Sequence, residues 1–190
     1  MLTMPSNSSS IAILVGIDPG STMLGIGVMR INVETMQIVS TEAWSINAAK
    51  LAGKESWAEQ LYDFRTARIS AIEEYLLNLF NRLRPLSINS EAPFVNQKFP
   101  QAGIALTEVV SAIRSAVNRY SFWHVLEMTP PSSVKNAVGV HGAGAKDAMR
   151  NKLIEMKDEI AYDGHIPIEE LDEHSIDALA VVYCRYRFYI

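Results

Sequence analysis

Ile11-Ala12-Ile13-Leu14-Val15-Gly16-Ile17-Asp18-Pro19-Gly20-Ser21-Thr22 is the stretch on which the reading of this chain turns. An apolar run ends in a carboxylate, Asp18, and Pro19-Gly20 follow at once. A second apolar run, Gly25-Ile26-Gly27-Val28-Met29, begins a few residues later. The pattern predicts a strand ending in a carboxylate, a tight turn and a returning strand. A carboxylate at the end of a buried strand is destabilising unless a cation meets it. A divalent metal is the expected cation. The plain alternative is that Asp18 caps the Pro19-Gly20 turn, since Asp favours turns.

Outward from this stretch, residues 24–31 read as a second strand and 36–44 as a third, which makes an antiparallel meander. Residues 46–56 read as a loop. From Ser56 to Leu83 the period becomes helical: Trp57, Leu61, Phe64, Arg68, Ile72, Tyr75, Leu76, Leu79 and Leu83 recur at three and four. Ser56 with Glu59 forms a capping-box pattern, and Pro85 ends the helix. Residues 86–91 read as a strand that delivers Glu91 to its C-terminal edge. Residues 101–120 read as a helix rich in small residues, and 122–128 as a further strand. Pro130-Pro131 opens a short helix through Val138. A glycine link precedes a helix over 145–157, residues 161–170 read as loop, and 172–187 form the last helix. The order predicts an α/β chain: a mixed sheet with helices on its faces.

The chain has 190 residues, 48% of them apolar, enough for one domain with a full core over 11–190 behind a polar arm over 1–10. No apolar stretch approaches membrane-spanning length and no signal-peptide pattern opens the chain, so no membrane association and a cytoplasmic location are expected. One cysteine, Cys184, excludes an intrachain disulfide and a cysteine-rich zinc site; a buried place on the last helix is expected for it. The net charge of −4 is unlike that of a nucleic-acid-binding protein, but distribution matters more than the sum. Acidic residues crowd Glu155 to Glu173. Arg114, Arg119, Lys135, Lys146, Arg150, Lys152, Arg185 and Arg187 supply cations elsewhere.

Three acidic positions stand out by context: Asp18 after the first strand, Glu91 after the fourth, and Asp177 where a polar start runs into an apolar helix. With the first and fourth strands as neighbours, Asp18 and Glu91 emerge at one end of the sheet. His174 and Asp177, three apart, share one helical face. Each has a plain alternative: Glu91 an ordinary strand-end residue, His174 and Asp177 groups that satisfy a helix N-terminus. Docked together, the three carboxylates repel one another in a partly dry site, and divalent metal removes that penalty. Oxygen ligands favour Mg²⁺ or Mn²⁺, and the imidazole adds tolerance of Mn²⁺. Two such ions activate water and stabilise a leaving oxygen in phosphodiester hydrolysis, with 5′-phosphate and 3′-hydroxyl products.

Gly16-Ile17-Asp18-Pro19-Gly20-Ser21 followed by Gly25-Ile26-Gly27-Val28, then Glu91, then His174-x-x-Asp177-Ala178-Leu179-Ala180, resembles the RuvC family of Holliday junction resolvases, in particular a bacteriophage branch. The resemblance runs from about residue 12 to residue 186. It implies an RNase H-like fold with a five-stranded mixed sheet and a homodimer with two metal-dependent sites that nick opposite strands of a four-way DNA junction. It implies that Asp18, Glu91, His174 and Asp177 are the metal and catalytic set, with two Mg²⁺ per site or Mn²⁺ in their place. Many members carry a carboxylate where His174 stands. It further implies that Phe94 stacks on bases near the junction centre, and that Lys135 and Lys146 hold scissile-strand phosphates, Lys146 within the catalytic set. Arg150, four residues beyond Lys146, extends that phosphate contact or lies on a plain solvated face. The 101–120 helix is the expected dimer face, and a phage-encoded chain would act in the host-cell cytoplasm.

The stretch between the third strand and Glu91, with Trp44, Lys50, Lys54 and Trp57, is longer than in typical bacterial members. Broader branched-DNA cleavage, of Y-junctions and forks, is the first alternative function. A noncatalytic nucleic-acid-binding module is the second, though no expected acidic position is missing. An actin-like ATPase would need a second glycine-rich phosphate hairpin and a far longer chain.

Overall fold

The computed structural model describes residues 10–53, 61, 63–93, 100–141 and 146–190, with the backbone alone of 100–102 and of Lys146. Strands β1 (Ile11–Asp18), β2 (Met23–Asn32) and β3 (Ile38–Asn47) form the antiparallel meander that the apolar runs predict. β4 (Ser87–Glu91) and β5 (Leu126–Thr129) add on the other side of β1, both parallel to it, in the order β3-β2-β1-β4-β5. Among the described residues the α-helices are α1 (Ala48–Ala52), α2 (Phe64–Leu83), α3 (Pro100–Tyr120), α4 (Pro131–Ala137), α5 (Lys146–Glu155) and α6 (Glu173–Arg187). The result is a five-stranded mixed sheet flanked by helices, as expected.

Both faces of the sheet are covered, so β1 reads as a continuous apolar run and not as an alternating one. Leu14 packs with Val134, Leu153, Leu179 and Val182 on the α4–α6 side. Val15 and Ile17 pack with Ile72, Leu76, Phe80, Val109 and Ile113 on the α2–α3 side. The strand period of two therefore sends Leu14, Gly16 and Asp18 toward α6. In β4, Ile88 belongs to the α2–α3 side, so Asn89 and Glu91 also turn toward α6. Asn89 and Thr129 exchange hydrogen bonds of 2.8 and 3.1 Å across β4 and β5, which satisfies a buried polar pair.

α6 lies directly on the sheet because glycines make room for it. A Cβ at Gly16 would stand 2.7 Å from the Ala178 carbonyl oxygen, one at Gly27 2.6 Å from the same atom, and one at Gly25 would overlap the His174 carbonyl. All three glycines belong to the opening motif.

Several sequence boundaries shift. The predicted loop over 46–56 begins instead with the end of β3, paired to Met23 through Asn47, and continues as α1, with Asn47 Oδ1 accepting the Lys50 N–H. Asp63 caps α2, accepting the Thr66 N–H at 2.9 Å. The Ser56–Glu59 capping box, Lys54 and Trp57 lie outside the described residues, as do residues 1–9 of the expected arm. Leu61 and Phe64 are exposed, so the buried stripe of α2 begins at Ala67. The strand predicted over 122–128 starts only at Leu126. Phe122 and Trp123 form an exposed turn, because β5 is an edge strand whose pairing spans only Ile88–Glu91 of β4. Cys184 is buried as expected. Among the described residues no helix is long and apolar enough to cross a membrane.

Candidate active site

The parallel register of β1 and β4 pairs Ile17 with Ser90, so Asp18 and Glu91, each one residue further on, leave neighbouring strands at one level and on one face. Adjacent strands stand about 4.8 Å apart, which brings the two carboxylates together. α6 begins over the same edge. Its N-cap is Asp172, which accepts the Ser175 N–H at 2.8 Å and the Ser175 hydroxyl at 2.7 Å, and also the Ser45 hydroxyl of β3. Burial works to raise the Asp172 pKa, but these hydrogen bonds outweigh it and hold the carboxyl below its usual range. Because Asp172 caps the helix, His174 and Asp177 are released from that duty.

Asp18 is buried, 8% exposed, and its hydrogen-bond partner among the described residues is His174, whose Nδ1 donates to Oδ2 at 2.7 Å. The turn-cap alternative for Asp18 is not what the structure shows. A carboxylate can only accept, so Nδ1 carries the proton and Nε2 is left for other work. The Asp18 hydrogen bond raises the His174 pKa against the pull of burial, and the charges of Asp18, Asp172 and Asp177 add to the rise.

Glu91 and Asp177 complete the group. Burial, then the charges of Asp18 and Asp177, push Glu91 up to about 7. Burial, then the charges of Asp18 and Glu173, push Asp177 up to about 6. Lys135, half-buried on α4, lies close enough for its ammonium to oppose both rises. Gathered carboxylates that resist ionisation are the electrostatic setting into which a hard, oxygen-preferring cation fits. The donor types thus suit Mg²⁺ or Mn²⁺, although among the described residues no three His, Cys, Asp or Glu side chains already stand in a metal-holding arrangement.

The other predicted residues fall variously. Phe94 lies outside the described residues, and Lys146 enters only through the backbone at the start of α5. Arg150 points to the carbonyl of Glu169, donating at 3.3 Å. Arg119, Lys152 and Arg185 pair with Glu73, Glu155 and Glu127 at 2.7, 3.0 and 2.5 Å. Arg114 lines a shallow depression of α3 with Ser111 and Asn118. Of the predicted basic residues whose side chains are described, Lys135 is the one whose charge acts on Glu91 and Asp177. Sequence reading missed Asp172 as a positioning group; its signal was an Asp followed three residues later by a Ser at a helix start.

No protein-family model matches the chain, and no curated protein matches it in sequence. Solved structures do match. Thermus thermophilus RuvC in complex with Holliday junction substrate superposes with a TM-score of 0.64 at 17% identity, over 93% of this chain and 94% of that one. Another Thermus thermophilus RuvC structure gives 0.62 at 20% identity, over 93% and 95%. The yeast mitochondrial Holliday junction resolvase Ydc2 gives 0.65 at 13% identity, over 93% and 78%. The fold is RNase H-like, of the RuvC type. In this RuvC-type fold the described acidic group sits where the central strands β1 and β4 end and α6 begins, and the likeness at these identities is one of fold.

Proposed function

We propose that this chain is a metal-dependent endonuclease that resolves branched DNA, four-way junctions foremost, by hydrolysing phosphodiester bonds to leave 5′-phosphate and 3′-hydroxyl ends. The observation that carries the reading is the meeting of Asp18 and Glu91, level on neighbouring parallel strands, with the α6 turn that bears His174 and Asp177. The RuvC-type fold adds support, since one solved relative is bound to a Holliday junction and another is a junction resolvase by name.

Asp18, Glu91, His174 and Asp177 would hold two Mg²⁺ or Mn²⁺ ions, which when bound supply an activated water and charge stabilisation at the leaving oxygen. His174 orients Asp18 through Nδ1 and keeps Nε2 available. Lys135 offsets the negative charge and meets a phosphate of the scissile strand; Lys146, a proposed catalytic residue, and Arg150 extend that contact along α5. Phe94, three residues after Glu91, stacks on a base beside the opened crossover, a contact worth about 1–3 kcal/mol. A homodimer through the outer face of α3 presents two sites to opposed strands, which matches the two-fold symmetry of a four-way junction. The domain over 11–190 then acts in the cytoplasm, that of the host if the chain is phage-encoded.

The test is a panel of end-labelled four-way junctions, Y-junctions, forks and linear duplexes, each with Mg²⁺ and with Mn²⁺. Paired, symmetric nicks in the four-way junction with the linear duplex left intact are expected. Comparable cutting of Y-junctions and forks would establish the broader substrate range, and indifferent cutting of linear duplex would overturn the structure-selective reading.

A further inference from the structure

At the carboxylate end of the sheet, but on its other face, a small pocket of about 190 Å³ lies between the β1–β2 turn and the starts of α2 and α3. Ser21, Arg65, Arg68, Ile69 and Ala105 line it. Ser21 is three residues beyond Asp18. The two guanidinium groups in the pocket are not equivalent. Arg65 is neutralised by Glu108, Nε to carboxylate oxygen at 2.7 Å. Among the described residues Arg68 has no ion-pair partner, and its Nε–H is sealed from water and finds no acceptor. Its guanidinium lies over the Phe64 ring, 5.1 Å from the centroid, which holds the planar fork in place without supplying an oxygen.

A buried N–H without an acceptor is rare in a folded protein. The missing partner is an anion with several oxygens, because the guanidinium fork matches phosphate geometry bidentately. The Ser21 hydroxyl adds a donor, and Ile69 and Ala105 wall the pocket with apolar groups that limit screening. We propose that Arg68, with Ser21, is a binding site for a backbone phosphate of the DNA strand, a few nucleotides from the bond cut at the carboxylates. A strand crossing the end of the sheet would meet the acidic group on one face and Arg68 on the other. The proposal rests on the nuclease reading for the identity of its ligand, and it makes Arg68 a positioning residue.

The test is binding of a fluorescein-labelled four-way junction by the full chain in EDTA. Arg68→Met keeps the apolar contact with Phe64 but loses the donors and the charge. It should bind about tenfold more weakly, and the slope of log Kd against log salt should fall by about one. One neutral methylphosphonate near the cut position should weaken the wild type to the same degree and leave R68M unchanged. Ser21→Asp, at a half-buried position of the turn, gives Arg68 an internal carboxylate and should reproduce the loss, so the test survives if R68M does not fold. Unchanged affinity and salt slope in R68M or S21D would overturn the proposal. So would methylphosphonate effects identical in both proteins, or Arg68-dependent binding of inorganic phosphate with Arg68-independent binding of the junction. Cleavage is scored separately: Arg68-dependent binding without any cleavage sinks the nuclease reading and upholds the pocket, whereas cleavage with Arg68-independent binding does the reverse.

Discussion

Glu91 sits in the folded chain with a pKa of about 7, against an ordinary value of 4.5. Between those values the folded chain holds a proton that the unfolded chain has released, so this group makes metal-free stability fall as pH rises through the window. Glu91→Gln removes that penalty. Discounted for the water that reaches this half-buried carboxyl, the gain at pH 8 should be about 1 kcal/mol, vanishing near pH 4, with cleavage lost. Thermal melts in EDTA at the two pH values check it. His174 gives a slope of the same sign. Its pKa is raised, first by the Asp18 hydrogen bond, so the stability from that pair is complete at acid pH and is lost as pH rises through the folded pKa. His174→Asp should move the metal profile toward Mg²⁺, and unchanged Mg²⁺ and Mn²⁺ dependence would remove His174 as its determinant. Asp18 stood out in the sequence as a carboxylate ending an apolar run, Glu91 as one ending a short strand, and Asp177 as one where a polar start runs into an apolar helix. Arg68 was visible only as a cation standing in an otherwise apolar helical stripe, and its unpaired Nε appears only once the helix is packed.

At the scale of the element, α6 decides the site, and two features set its position. Asp172 caps it, and Gly16, Gly25 and Gly27 let it lie on β1 and β2. Asp172→Ala should lower stability by about 1 kcal/mol. Gly25→Ala forces a methyl group against the His174 carbonyl and should destabilise by about 1–3 kcal/mol while displacing His174 from Asp18. Denaturant unfolding together with the His174 ring NMR titration separates these effects: loss of the raised pKa reports the displacement. The meander and the parallel strands were readable from runs and turns. α1 was not, because Ala48–Ala52 is too short for a period to appear. The start of β5 was not, because Phe122, Trp123 and Val125 have strand-like composition yet stand exposed outside the pairing. The close seating of α6 needed coordinates: glycines in a motif signal tight approach, but which helix approaches is a tertiary fact.

For the whole molecule, the proposed dimer needs a surface on α3. Between α2 and α3 runs a groove of about 950 Å³ whose lining includes Ile104, Thr107 and Ser111. Ser111→Arg should keep the fold but reduce the sedimenting species from twice 21.1 kDa to 21.1 kDa, and turn paired nicks into single ones. An unchanged dimer would place the interface elsewhere. The central claim, that Asp18 anchors a metal-dependent nuclease centre, is tested most directly by one comparison. Wild type and Asp18→Asn are assayed side by side for binding and cleavage of a labelled four-way junction with Mg²⁺. The account predicts that D18N binds the junction like the wild type and does not cut it; metal-dependent cleavage retained by D18N would contradict the account.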